Sequence, residues 1–151
     1  MRLALYQPDI AQNTGTILRL AACLGVGVDL IEPCGFPFDD RRLKRAGMDY
    51  LDQVDLTRHS SWQAFRDADR IGRLVLLTTK GDSVFPEVTF RPTDTLLLGQ
   101  ESAGVPDEVH DASDLRLRIP LLQGMRSINV ALAAAMVLSE ALRRTKGFPA
   151  P

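Results

Sequence analysis

Short apolar runs alternate with helix-forming segments along the whole chain, and this alternation limits the fold more than any other feature. Leu3–Tyr6, Val26–Ile31, Val54–Thr57, Leu74–Thr78, Thr95–Leu98 and Leu115–Ile119 read as strands. Strands of this kind linked through helices predict an α/β fold: a mostly parallel sheet with helices on both faces. Helices are expected over 13–24, 61–68, 106–109 and 127–144, with a short basic one over 41–46. Asn13 is the natural cap of the first and Gly25 its stop; Ser127 is placed to cap the last. Arg143, Arg144 and Lys146 suit the negative end of that last helix. Trp62 and Phe65 are spaced to bury one helical face, and Cys23, inside an apolar helical run, is assigned to the core. No domain break or internal repeat interrupts residues 1–151, which read as one domain.

Ligands in parallel sheets gather at the carboxyl ends of the strands. Three polar, glycine-bearing segments fall there: Thr79-Lys80-Gly81, Gly99–Gly104, and the loop containing Gly124 after Ile119-Pro120. Several chemistries are excluded. No Gly-x-Gly-x-x-Gly follows the first strand, no Gly-x-x-x-x-Gly-Lys-Ser/Thr loop occurs, and there is no Gly-x-Ser-x-Gly elbow. Cys23 and Cys34 have neither metal-ligand spacing nor a disulfide-rich setting, so a reducing compartment and no metal are expected. His59 and His110 lie in polar segments without evident partners and read as a helix-entry residue and a surface residue. No apolar run reaches membrane-spanning length and the first is too short for a signal peptide, so a cytoplasmic protein is expected. The formal net charge of −1 lacks the basic footprint of a nucleic-acid binder, so any RNA site has to be a local patch.

An uncommon set is left: Asn13, Arg19, Glu101, Ser127 and Asn129, each near a glycine or a helix start. A carboxylate directly after an apolar strand is unfavourable to bury unless paired, and Arg19 is the candidate partner of Glu101. Arg19, in an otherwise apolar helix, either snorkels at a rim or meets a ligand. Arg41, Arg42, Lys44 and Arg45 either meet phosphates or form a solvated face. Ala131, Ala133, Ala134 and Ala135 let another backbone approach the last helix closely.

Asn13-x-Gly15-x-x-x-Arg19, Gly99-x-Glu101-x-x-Gly104-Val105-Pro106, and Ile119-Pro120 with Arg126-Ser127-Ile128-Asn129 resemble, in order, the three motifs of the SPOUT RNA methyltransferases. The resemblance is closest to the small family that 2'-O-methylates the wobble nucleotide, cytidine or uridine, of certain bacterial leucine tRNAs. It covers nearly the whole chain, including Arg41–Tyr50 and Leu77–Gly81. It implies a carboxyl-terminal trefoil knot, a homodimer whose site is completed across the interface, and S-adenosylmethionine as methyl donor.

By the same resemblance, the donor rests against Leu77, Thr78, Gly99, Glu101, Gly104, Ile119, Leu121 and Ser127. Arg19, Asn13, Glu101 and Asn129 form the catalytic group, and tRNA meets Arg19, Arg41, Arg42, Arg45 and Lys80. A guanidinium stays protonated far above neutrality, so Arg19 is expected to acidify the ribose hydroxyl and bind phosphate rather than act as a base. Gln100-Glu101-Ser102-Ala103 departs from the expected Pro-Glu-Thr-Arg, and Val130-Ala131-Leu132 stands where a polar Ser-Asn pair is usual. The resemblance also admits a non-catalytic RNA-binding dimer, or the same chemistry at another RNA position. Ribosomal RNA is disfavoured as the target, because relatives acting on it often add an RNA-binding domain.

Overall fold

The computed structural model describes residues 1–39 and 50–151. Arg41, Arg42 and Arg45 of the expected basic helix therefore lie outside the described residues. The strands are β1 (Arg2–Tyr6), β2 (Gly27–Ile31), β3 (Leu56–His59), β4 (Leu74–Leu77), β5 (Ser83–Val84), β6 (Thr95–Leu98) and β7 (Leu115–Arg118). They form one seven-stranded sheet in the order β3-β2-β1-β6-β4-β7-β5, and every pairing is parallel. The α/β expectation and its parallel sheet hold. The two-residue β5 was not expected; it is an edge strand, paired to β7 through Ser83–Leu117 and Val84–Arg118.

Helices α1 (Ala11–Leu24), α2 (Trp62–Asp67), α3 (Asp107–Asp111) and α4 (Val130–Thr145) cover the sheet. Side chains alternate along each strand, so neighbouring strands in register sort their residues onto two faces. Leu3, Leu5, Val28, Leu30, Val75, Leu96 and Leu98 pack with Ile17, Leu18 and Ala21 of α1 and Ala134, Val137, Leu138 and Ala141 of α4. Ala4, Tyr6, Ile31, Leu74, Leu76 and Leu97 turn the other way, onto Trp62 and Phe65 of α2 and Val109 of α3. Trp62 and Phe65 stack at 5.5 Å, and Ser61 caps α2 by accepting from the Ala64 N–H at 3.0 Å. The alanines of α4 serve close packing: Ala134 and Ala141 are wholly buried.

Four local expectations are corrected. Asn13 does not cap α1; the helix starts at Ala11, behind Ile10, and Asn13 sits in its first turn. Ser127 does not cap α4, because Asn129 accepts from the N–H groups of Ala131 and Leu132 at 2.8 and 3.3 Å. Cys23 is exposed, since Thr14, Ile17, Leu18 and Ala21 define the inward stripe of α1 and position 23 lies off it. His59 is no partnerless entry residue: it is buried at the end of β3, with Nε2 2.8 Å from Oδ1 of Asp29. That contact exists because β2 and β3 run in parallel register.

The amino edge of the sheet is held by paired charges. The Arg2 guanidinium donates to Asp29 at 2.7 Å and to Asp55 at 2.6 Å. Arg73 grips both oxygens of the fully buried Asp94 at 3.0 and 2.8 Å, and the Arg91 N–H adds a third bond to that carboxylate at 2.8 Å. Asp114 accepts from the Leu74 N–H at 2.7 Å, joining β7 to β4.

Candidate active site at the carboxyl edge

At the opposite edge the strands run into glycine-bearing loops. Gln100 and Gly104 exchange two backbone hydrogen bonds of 2.8 Å, closing the loop after β6 into a tight ring. A Cβ on Gly99 would lie 2.7 Å from the Gly104 carbonyl carbon, so only glycine lets the ring close. The loop after β4 is pressed equally hard against β7: a Cβ on Gly81 would lie 2.5 Å from the Leu117 carbonyl carbon. The Thr78 N–H donates to the Leu117 carbonyl at 2.8 Å, and Thr78 Oγ1 accepts from the Lys80 N–H at 3.2 Å.

A directed hydrogen-bond chain ties these loops to both long helices. The Ala131 N–H at the start of α4 donates to Asn129 Oδ1. Asn129 Nδ2 then donates to Asn13 Oδ1 at 2.9 Å, and Asn13 Nδ2 donates to Glu101 Oε1 at 3.2 Å. The two ends fix both amide orientations, because a helix N–H can only donate and a carboxylate can only accept. All the donors point toward Glu101, so each bond polarises the next, from the positive end of a helix to a negative charge. Asn13 is more useful in this chain than at a cap, which accounts for its place inside α1.

Glu101 is clamped reciprocally by Asp9. Glu101 Oε2 accepts from the Asp9 N–H at 3.1 Å, and Asp9 Oδ1 accepts from the Glu101 N–H at 3.0 Å. The other Asp9 oxygen accepts from the Ser102 N–H at 3.3 Å and from the Ser102 hydroxyl. Asp9 is held down at about 2, first by its hydrogen bond with Glu101 and then by those from Ser102. Burial, followed by the bond with Asp9, pushes Glu101 up. Of the two carboxyl groups, Asp9 is the one that gives up its proton first. Sequence reasoning did not single out Asp9, although its place directly after β1 and Pro8 was the available signal.

The structure joins Asn13, Glu101 and Asn129 as one unit and leaves Arg19 outside it. The expected Arg19–Glu101 pair is not formed, because the Glu101 carboxylate faces Asp9 and Asn13 instead. Arg19 is exposed on α1 with its guanidinium carbon 4.8 Å from the centre of the Tyr50 ring. Among the expected donor contacts, Leu77, Thr78, Gly99 and Ile119 are half-buried at strand ends, while Gly104, Leu121 and Ser127 are exposed in the loops, as is Lys80. A cleft of about 290 Å³ between α2 and α3 is lined by Trp62, Gln63, Arg66, Asp67, Glu108 and Ala112, and shares no residue with this edge. Among the described residues, no group of three or more His, Cys, Asp and Glu is arranged to hold a metal.

A parallel sheet whose carboxyl edge carries three joined loops defines a ligand-binding α/β domain, and comparison with known proteins gives its family. The SpoU rRNA Methylase family matches residues 1–139, and the chain belongs to it. A tRNA (cytidine(34)-2'-O)-methyltransferase of Beijerinckia indica is 62% identical over 144 residues, covering 94% of this chain and 90% of the relative. The enzyme of that description from Escherichia coli K12 is 40% identical over 151 residues, covering 99% and 96%. A structure solved for the 2-OH methylation of C/U34 on tRNA superposes with a TM-score of 0.89 at 42% identity, over 97% of this chain and 96% of that one. A SpoU methyltransferase of Streptomyces viridochromogenes in complex with AdoMet superposes with a TM-score of 0.80 at 27% identity, covering 95% of this chain and 57% of that one.

Proposed function

We propose that this chain transfers the methyl group of S-adenosylmethionine to the ribose 2'-oxygen of nucleotide 34 of tRNA, with cytidine or uridine at that position and leucine tRNAs as substrates. The observation that carries this reading is the hydrogen-bond chain from α4 through Asn129 and Asn13 to Glu101, which locks the family's motif positions into one rim. Relatives sharing 40–62% of their residues with it carry that activity in their names.

The loops fit the donor. Closed by Gly99 and Gly81 against neighbouring backbone, they offer main-chain N–H and C=O groups that can read an adenine at close range. Leu77, Thr78, Gly99, Gly104, Ile119, Leu121 and Ser127 would hold it. When bound, S-adenosylmethionine supplies an activated methyl group on a sulfonium. Glu101 serves this site by building it, since both its N–H and its carboxylate are engaged within the protein. Asn13 and Asn129 keep the mouth of α4 at a fixed distance from the loop after β6. Arg19 contributes a permanent charge with outward donors that lower the pKa of the ribose hydroxyl and grip the adjacent phosphate. Lys80 extends the cationic path for tRNA, as do Arg41, Arg42 and Arg45.

A homodimer is part of this proposal. Leu122, Met125, Leu132 and Met136, on the loop before α4 and on its outer face, are 83%, 66%, 61% and 45% exposed. Apolar surface of this kind marks an interface, and here it borders the site. A trefoil knot formed by the carboxyl-terminal loops is also proposed, supported by the insertion of β7 between β4 and β5. The expected location is the cytoplasm, where tRNA is the substrate. The test is incubation with labelled S-adenosylmethionine and tRNA from a strain lacking the corresponding enzyme, followed by mapping of the label. Label on the nucleotide-34 ribose is expected; label elsewhere, or tRNA binding without transfer, would overturn the assignment.

A further inference from the structure

Arg19 is held differently from the arginines that bind the sheet together. Arg2 and Arg73 donate to carboxylates through several N–H groups. Arg19 meets the face of Tyr50 at 4.8 Å, and among the described residues no carboxylate or carbonyl accepts from it. A carboxylate would fix a guanidinium just as well but would use up its in-plane donors and offset its charge. An aromatic ring grips the flat face by its negative quadrupole and leaves the donors on the edge unengaged. Tyr50 stands at the entry to a 3₁₀ turn, Leu51–Gln53, that packs beside α1, so the ring comes from a segment separate from the helix it serves. An unheld arginine would sample many rotamers, whereas a stacked one keeps its fork near one orientation.

We infer that Tyr50 is a positioning residue for the methyl-transfer reaction: its ring holds the Arg19 guanidinium, whose N–H donors, unengaged by any described residue, are left for the ribose and phosphate of the substrate. The inference rests on the function proposed above. Removal of a partly exposed stack of this kind corresponds to roughly 3- to 30-fold in rate.

The test compares Tyr50→Phe, Tyr50→Leu and Arg19→Lys, singly and in pairs, by kcat and KM for tRNA and for S-adenosylmethionine, with thermal melts as a control on folding. Tyr50→Leu, which keeps bulk without a π face, is expected to lower kcat roughly 3- to 30-fold with KM for the methyl donor unchanged. Tyr50→Phe is expected to retain most of the turnover. In the Arg19→Lys background, Tyr50→Leu should add much less than it does alone, because the planar partner of the ring is gone. Wild-type kcat in folded Tyr50→Leu would overturn the inference, as would an equal loss in both backgrounds, which would make Tyr50 act independently of Arg19. Absence of transfer by the wild-type protein would instead sink the underlying function.

Discussion

The two edges of the sheet solve opposite problems with similar residues. At the amino edge, Asp94 is fully buried and receives two bonds from Arg73 and one from the Arg91 backbone, and Arg2 bridges Asp29 and Asp55. These carboxylates each face a cation or an N–H donor, and strands are bound to strands; Arg70, lying over the Phe65 ring at 5.0 Å, is an exception on this side. At the carboxyl edge the motif loops hold a pair of carboxyl groups, Asp9 and Glu101, fed by amides and backbone N–H groups, while the cation Arg19 is kept apart on an aromatic ring. Charge that is fully paired makes architecture. Charge that is oriented but left unpaired is available to a substrate.

The difference can be probed from both sides. The largest effect on stability belongs to the amino edge: Asp94→Ala should destabilise by roughly 3–5 kcal/mol, because it strands the Arg73 guanidinium and the Arg91 N–H beside a buried void. Urea unfolding measures this, and a loss below about 1 kcal/mol would mean that solvent replaces the carboxylate easily.

A smaller effect is expected at the carboxyl edge. Asp9→Asn should cost roughly 1 kcal/mol near neutral pH by weakening the bonds to the Glu101 and Ser102 N–H groups, and should loosen methyl-donor binding more than it lowers the melting temperature. Its pH dependence has a definite sign. A carboxylate depressed to about 2 stabilises the native state above its ordinary value and loses that contribution as pH falls through about 2. Glu101, raised, works in the opposite sense: its contribution is present at low pH and lost as pH rises. The gap between wild type and Asp9→Asn should therefore be widest above pH 4 and shrink toward pH 2. A gap that widens on acidification would show that the Asp9 carboxylate does not hold the loop.

The same contrast separates what was legible in the sequence from what was not. Alternation of short apolar runs with helical stretches was enough for the parallel sheet, since each strand must be covered on both faces. The motif glycines also pointed to their places, as Gly99 shows by touching the backbone of Gly104. Caps were misread at Asn13 and Ser127, because an Asn or Ser near a helix start has competing partners far along the chain. Asn13 went to Glu101 and Asn129, leaving Asn129 to cap α4. The Asp29–His59 contact depends on strand register, and a local pattern carries no register between segments thirty residues apart. Arg19 was recognised but given the wrong companion, since opposite charge suggested Glu101 where the fold supplies Tyr50.

Methyl transfer by Arg19→Ala to tRNA, measured beside its melting temperature and its affinity for S-adenosylmethionine, tests the central claim most directly. The exposed guanidinium holds no strand in place, so folding and donor binding should match the wild type while turnover falls by about 100-fold or more, the scale for losing a fixed electrostatic donor at a reacting centre. Turnover near the wild-type value, or a loss that follows the melting temperature, would contradict the division of labour between the two edges.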